Sequence, residues 1–546
     1  MKPLLTIFLL LMAPSCHAQV ADLIFYGGKI FTSDTTNLYV QAIAIKDGRI
    51  LATGSNAAME KYQAGSTKRI DLAGKLMVPG FNDAHNHLPN ALKSTMIHLE
   101  GMNPSWEALV DSIRLALKHT PKGQFITASI GLDIAKSPDA TRFSLDKLAP
   151  DHPVLLLSWW GHVGIFNTMA MEKFGIGTTQ QDPKGGFYER LPDGKTLTGK
   201  AYEKNAYWPN TSYKKIMAMR DDERLVANLR SLSQDLLSLG ITSFQNMCTG
   251  ANADDFVQYW KKAGLPLRMR LIRWGDINPD GSLDIPSKQL PVKVEGLPLL
   301  RVSGTKWLLE GTPLEQGAAQ LAAYPGSDNW YGRMNYTVLE MERMIQEAIT
   351  RKDQICFHIG GTKTIGVLLK LMSKVDVDWP SLRPRFEHGD EVDYSPEYLN
   401  EVRRLGIIVV QNPTHFGPVP GMPLPPPGTS HGMAMKTLVK AGIPLAIGSD
   451  GPHNPFLNIM LAITHPMRPS EALSREEAVI AYTKTAAYAE FQEQDKGSLT
   501  KGKFADLAVL SQDIFTVPLN ELMKTRSILT LVNGEIAFDA GLIGSK

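Results

Sequence analysis

The chain has 546 residues, 43% of them hydrophobic, and a formal net charge of +2. That length allows one large catalytic domain with accessories or about two to four smaller domains, and the near-neutral balance gives no basic surface with which to hold nucleic acid. Three cysteines, Cys16, Cys248 and Cys356, with no Cys-x-x-Cys pair, argue against a thiolate zinc site or a disulfide framework.

The first residues, MKPLLTIFLLLMAPSCHA, carry the parts of a secretory signal: Lys2, an apolar run from Leu4 to Met12, then small residues. Cys16-His17-Ala18 resembles a cleavage site, which starts the mature chain near Gln19. A lipoprotein anchored through Cys16 is the competing reading; Pro14, Ser15 and the lack of a Leu three before the cysteine speak against it. No later apolar run is long enough to span a bilayer. The expectation is an exported, soluble protein, periplasmic in a Gram-negative source, with residues 1–18 as signal peptide.

From Asp22 to about Met77 the runs LIFYGGKIFT, AIAIKDGRILATG and KRIDLAGKLMV alternate and are broken by Gly and Asp-Gly turns, the pattern of a small antiparallel sheet. The last seventy or so residues hold a matching set, GKFADLAVLSQD and SILTLVNGEIAFDA. Residues 19–78 and 471–546, the latter with a helix, are therefore expected to build one composite, β-sandwich-like domain, two unrelated β caps being the alternative. Between them, apolar runs alternate with helical stretches such as LEMERMIQEAITRK and PEYLNEVRRLG. The runs are LMVPGFNDAHNH, ITSFQNM, LRMRLIRW, RVSGTKWLL, QICFHIG, RPRFEHG, IIVVQNP and PLAIGSD. Eight is the number a (β/α)8 TIM barrel requires, so the fold class is read as α/β, with the barrel over 79–470. Two further runs, FITASI and VLLLSWWGH, place an insertion at about 100–235. The Pro-rich stretch from Gly417 to Ser430 follows the seventh run and reads as a loop over the barrel mouth or a solvated loop without a role.

In a parallel barrel, reactive residues sit at the C-terminal ends of strands. Five runs end in groups able to bind metal: His85 and His87, Lys306, His358, His388 and Asp450. In an extended strand the His85 and His87 side chains share a face. One such histidine alone is better read as a hydrogen-bonded core residue; four histidines, a lysine and an aspartate at corresponding ends are not well explained by coincidence. Four imidazoles and a carboxylate suit zinc or a similar divalent ion, and they are too many for one tetrahedral site with an open position. Two ions about 3.5–4 Å apart use them all but need anionic bridges. Lys306 serves there only if CO₂ adds to its amine and gives a carbamate.

The order His-x-His, Lys, His, His, Asp resembles that of the amidohydrolase superfamily. VPGFNDAHNH, DHPVLLLSWWGHVGIFNTMAM, LGITSFQNM, GTKWLLEGTPLEQGA, FEHGDEV, LGIIVVQNPTHF, AIGSDGP and KGSLTKGKFADLAVL narrow the resemblance to the amidohydrolase 3 family, whose members include N-substituted formamide deformylase. It covers nearly the whole mature chain. It implies that His85 and His87 bind a first metal and His358 and His388 a second. It also implies that Lys306 is the carboxylated bridge, and that Asp450 binds the first metal while shuttling a proton between the metal-activated hydroxide and the leaving nitrogen. A Lys306 paired with Glu310 or another carboxylate, and a one-metal site, stay open.

His162 in WWGH and His415 in NPTHF are candidates for holding the substrate or its oxyanion, with structural roles as the alternative. Trp159 and Trp160 read as an apolar wall or as core, and His453 as a residue of the mouth. His98, His119, His152, His431 and His465 have no motif context. The chain departs from the family pattern at Trp160, Asn82, Thr362 and Glu310, of which Trp160 and Thr362 bear on the pocket. The expected activity is metal-dependent hydrolysis of a non-peptide C–N bond in a small molecule, an N-substituted amide or formamide. Esters or lactones are the nearest alternative, a catalytically silent binding protein a further one, and a homodimer is left open.

Overall fold

The computed structural model describes residues 19–88, 91–208, 213–417 and 432–542. The expected signal segment, the Pro-rich stretch beyond Gly417 and His431 lie outside these residues. Eight parallel strands form the barrel: β1 (Phe81–Asn86), β2 (Ile241–Met247), β3 (Arg268–Trp274), β4 (Leu300–Leu308), β5 (Ile355–Ile359), β6 (Arg385–His388), β7 (Ile408–Gln411) and β8 (Leu445–Ile447). They lie side by side in chain order. Each is buried on both faces apart from two residues near the start of β4, because helices cover the outside and side chains fill the inside.

The seam between β8 and β1 is closed by backbone. The Asp450 N–H donates to the His85 carbonyl at 2.9 Å. A side chain at Gly448 would come within 2.4 Å of the His85 nitrogen, so only glycine lets the strands meet there. The outer helices have the expected amphipathic spacing. In the helix Val338–Arg351, Met341, Met344, Ile345 and Ala348 face inward, and its start is fixed by a reciprocal Thr337–Glu340 capping box. Pro396–Arg404 is likewise helical.

The two chain ends share one sheet. Leu507–Leu510 pairs antiparallel with Leu76–Pro79, which pairs in turn with Lys29–Phe31. A four-stranded sheet of N-terminal strands packs against it, with Phe25, Ile43 and Ile45 meeting Met77, Leu507, Leu529 and Leu531 in one apolar core. The run LMVPGFNDAHNH is therefore two strands and not one. Leu76–Pro79 belongs to the composite domain and Phe81–Asn86 to the barrel.

The interval after β1 divides. Residues 94–202 form a six-stranded sheet with its own helices and apolar cores. The helix Asp222–Ser238 instead packs Leu225, Leu229, Leu236 and Leu237 into the barrel's own core and leads directly into β2.

Candidate metal centre

At the end of β1, the His85 Nδ1 lies 2.6 Å from Glu387 Oε2. Glu387 is gripped by the Arg385 guanidinium at 2.7 and 3.0 Å. With Nδ1 donating to that carboxylate, the ring orientation is fixed and Nε2 is left for a ligand. That Nε2 is buried and has no hydrogen-bond partner among the described residues, and the same is true of Lys306 Nζ on β4. His87 follows the strand end. Its Nδ1 is 3.2 Å from the Met247 carbonyl and its Nε2 is 3.4 Å from Asp450 Oδ1. Asp450 Oδ2 lies 3.8 Å from His85 Nε2 and 3.6 Å from His415 Nε2.

The His388 ring sits 4.9 Å from that of His85 and 4.5 Å from that of His358. His85, His388 and Asp450 offer ligand atoms that all lie within 4.8 Å of one another. The backbone is strained at two of these residues: His388 has φ 71° and Asp450 has φ 46°. Non-glycine residues adopt the left-handed region at a cost, and such outliers gather at functional sites.

Burial sets the protonation states. It drives His85, His358 and His388 well below the usual imidazole range, aided by the neighbouring Lys306 charge. Burial, then the Lys306 charge, takes His87 down to about 3; burial, then the His162 charge, takes His415 to about 4. All five are neutral at pH 7, the state in which imidazole binds a metal. Burial lowers Lys306 to about 8 against the pull of Glu387 and Asp450, which brings part of the amine into its nucleophilic form. Burial raises Asp450 to about 7. Neutral imidazoles, a buried His85 Nε2 and Lys306 Nζ without hydrogen-bond partners among the described residues, and the Asp450 carboxylate together fit a divalent metal site.

The pairing of Lys306 with Glu310 is not formed. Glu310 Oε1 accepts the Gly360 and Gly361 N–H groups at 2.8 and 2.7 Å. Its Oε2 accepts the Ala319 N–H and the Thr364 hydroxyl at 2.6 and 2.5 Å. A carboxylate so saturated by other donors serves to pin the loop after β4 to the end of β5.

A cavity of about 370 Å³ opens over these groups, lined by His87, Lys306, His358, His388 and Asp450. His162, Trp159, Trp160, His415 and His453 line it too. His162 arrives from the inserted sheet and its ring lies 4.8 Å from that of His358. Burial by itself lowers its pKa, but Glu203 Oε2, 2.8 Å from Nδ1, reverses this and raises it to about 9. His453 Nδ1 is tied to Asn86 Nδ2 at 2.6 Å. Thr362 does not line the cavity; its hydroxyl is bonded to Gln320 and to the Leu321 N–H. His152 and His465 bond to backbone carbonyls, and His98 and His119 are exposed.

Sequence reasoning passed over Glu203, Glu315, Glu387 and Asp390. Glu387 directly precedes the ligand candidate His388 and Asp390 follows it by two residues, the local cues these four offer. Asp390 lines the cavity and is pushed well up by burial.

The amidohydrolase family model matches residues 68–538. The chain belongs to the amidohydrolase family. Among its relatives, the Arabidopsis thaliana protein LONG AFTER FAR-RED 3 is 27% identical over 90% of this chain and 87% of its own length. N-substituted formamide deformylase of Arthrobacter pascens is 25% identical over 95% and 99%. An uncharacterized metal-dependent hydrolase from Pyrococcus furiosus superposes with a TM-score of 0.65 at 21% identity, over 90% of this chain and all of that one. The barrel and composite sheet are thus an amidohydrolase fold, and His85, His388 and Asp450 gather in it as groups able to hold a divalent metal.

Proposed function

We propose that the protein is an exported, metal-dependent amidohydrolase that cleaves a non-peptide C–N bond of a small N-substituted amide or formamide. The observation that carries this reading is the pair of unpartnered, buried atoms His85 Nε2 and Lys306 Nζ at a cavity that Asp450 also lines. Buried polar atoms left without partners cost about 1–3 kcal/mol each, and a bound cation with its bridge removes that cost. The whole-length likeness to a formamide deformylase supports the carbonyl class. Export rests on the apolar N-terminal run; among the described residues no helix is long and apolar enough to cross a membrane.

His85 and His87 would hold one ion and His358 and His388 a second, with Asp450 on the first and a carboxylated Lys306 between them. Imidazole and carboxylate donors favour zinc. When bound, such ions lower the pKa of water and polarise a carbonyl. The chain's own residues do the rest. Asp450, whose burial sets it at about 7 before any cation is counted, takes a proton from the attacking water. It returns that proton to the leaving nitrogen as the C–N bond breaks, giving an acid and an amine. His162 offers its remaining ring nitrogen to the carbonyl oxygen as negative charge develops there. Trp159 and Trp160 wall the cavity against bulk water.

The test is elemental analysis of purified protein beside hydrolysis of an N-aryl formamide, an N-alkyl acetamide and an aryl ester. Two zinc-like ions per chain, with amide turnover lost on chelation and restored by metal, is the expected result. One ion with turnover retains the reaction and removes Lys306 as a bridge. Ester turnover alone replaces the amide assignment. No ion after reconstitution and no turnover sinks the hydrolase reading.

A further inference from the structure

Glu203 combines three properties that seldom occur together. It is 4% exposed, it pairs with a histidine of the cavity, and its backbone is held at φ 69°, ψ 149°. That region is essentially reserved for glycine and strains any other residue held in it. A glycine at 203 would relieve it. The chain instead keeps a glutamate there, and its Oε2 lies 2.8 Å from His162 Nδ1.

Strand pairing explains how the two meet. Val163 is opposite Tyr202 in the inserted sheet, which sets residues 162 and 203 side by side just beyond the pair. The Glu203 N–H donates to the His162 carbonyl at 2.8 Å, so backbone and side chain both grip the same residue. The loop after β4 leaves room for the carboxylate: a side chain at Gly311 would stand 3.0 Å from Glu203 Oε1. Glu315, whose carboxylate lies within 4.8 Å of both groups, adds its charge beside His162 but is itself hydrogen-bonded by the Thr312 N–H and hydroxyl, whereas Glu203 bonds the ring directly.

A buried ion pair is by itself a weak stabiliser, because desolvation offsets most of the attraction. Anchoring the insertion is therefore a poor reason to hold a strained backbone. Orienting an imidazole is a better one: a carboxylate on one ring nitrogen fixes the ring's orientation and aims the other nitrogen. Nδ1 is taken, so Nε2 is the nitrogen left for the cavity. We propose that Glu203 is the positioning residue for His162, and that the inserted sheet thereby supplies part of the reaction machinery rather than only a cover. This rests on the reading that His162 faces the substrate carbonyl.

Four variants of the metal-loaded full chain test it: Glu203→Gln, Glu203→Gly, His162→Ala and the double His162→Ala/Glu203→Gln. On the N-aryl formamide, Glu203→Gln is expected to lose about 100-fold in kcat/KM through misplacement of the ring, with metal content unchanged. In the His162→Ala background the same change is expected to cost nothing more, because Glu203 acts through that ring. Glu203→Gly is expected to lose the same activity while melting no lower than the parent. A downfield imidazole proton resonance, absent in His162→Ala, is expected to move upfield in Glu203→Gln. Multiplicative losses in the double variant, a Glu203→Gly protein that melts several degrees lower, or a parent without the downfield resonance overturns the proposal. If the parent hydrolyses nothing, the functional reading fails separately, and the resonance and melting temperatures still decide the dyad.

Discussion

The two ends of the barrel interior treat buried polar groups in opposite ways. Toward the N-terminal ends of the strands, every nitrogen of Arg270 and Arg385 is engaged. Arg270 reaches Ser303, Gln245, Gln354 and the Ala489 carbonyl. Arg385 reaches Glu387, Gln245 and the Ala84 carbonyl. Asn82 and Lys496 meet on Glu490 at 2.7 and 2.6 Å. Toward the C-terminal ends, groups of equal polarity are buried as deeply and have no hydrogen-bond partner among the described residues: His85 Nε2 and Lys306 Nζ. A satisfied polar core specifies one packing, whereas an unsatisfied one is waiting for something the chain does not itself supply. Glu387 stands where the two regimes join, with one partner in the floor and the other at the mouth.

The sharpest way to break this contrast is at the mouth. Asp450→Asn is expected to lower kcat by about 10³- to 10⁴-fold, the upper range for a proton-transferring group, while far-UV circular dichroism and melting temperature stay those of the parent. Near-normal turnover in a metal-loaded Asp450→Asn protein removes the shuttle. The floor should respond in stability instead. Arg385→Met strands the Glu387 carboxylate in the interior and is expected to cost about 3–5 kcal/mol in urea unfolding; a loss below 1 kcal/mol would show that the floor network is not structural.

Lys306→Met sharpens the comparison from the other side. In chelated protein it removes an amine that burial has already pushed from 10.5 to about 8, and a gain of about 1–3 kcal/mol is expected, together with loss of one ion per chain when metal is restored. Equal stability and an unchanged ion count would assign the lysine no part in the centre. The smallest effect is in pH. The His87 pKa falls from 6.5 to about 3 on folding, so its unfolded form binds more protons through that window and stability declines as pH drops below 6.5. His85, His358 and His388 act in the same direction. Asp450, raised from 3.8 to about 7, acts in the opposite one, because folding there takes up a proton and is favoured toward low pH. Among the ligand candidates alone, four histidines outweigh one carboxyl, so their joint contribution to the stability of chelated protein is expected to fall on acidification from pH 6.5. His388→Leu should flatten that slope by up to about 1.4 kcal/mol per pH unit, read from urea midpoints across pH.

The sequence by itself determined the eight strands, the composite sheet of both ends and which side chains the strand ends carry to the mouth. The reason is that burial on both faces writes a strand as a continuous apolar run, and a barrel places whatever ends that run at the mouth. The Pro79-Gly80 junction misled, because two strands of different sheets running on through one glycine look like a single run; so did the interval after β1, whose last helix belongs to the barrel, and Thr362, which does not line the cavity. The tertiary structure alone decided the partners. Glu387 is 302 residues from His85 and Glu203 is 41 from His162, and neither separation leaves a periodic trace. Whether a buried carboxylate pins a loop, as Glu310 does, or aims an imidazole, as Glu387 does, depends on which donors reach it first through space. Hydrogen bonding is short-ranged and directional, so that choice is made by packing, after the pattern has already chosen the fold.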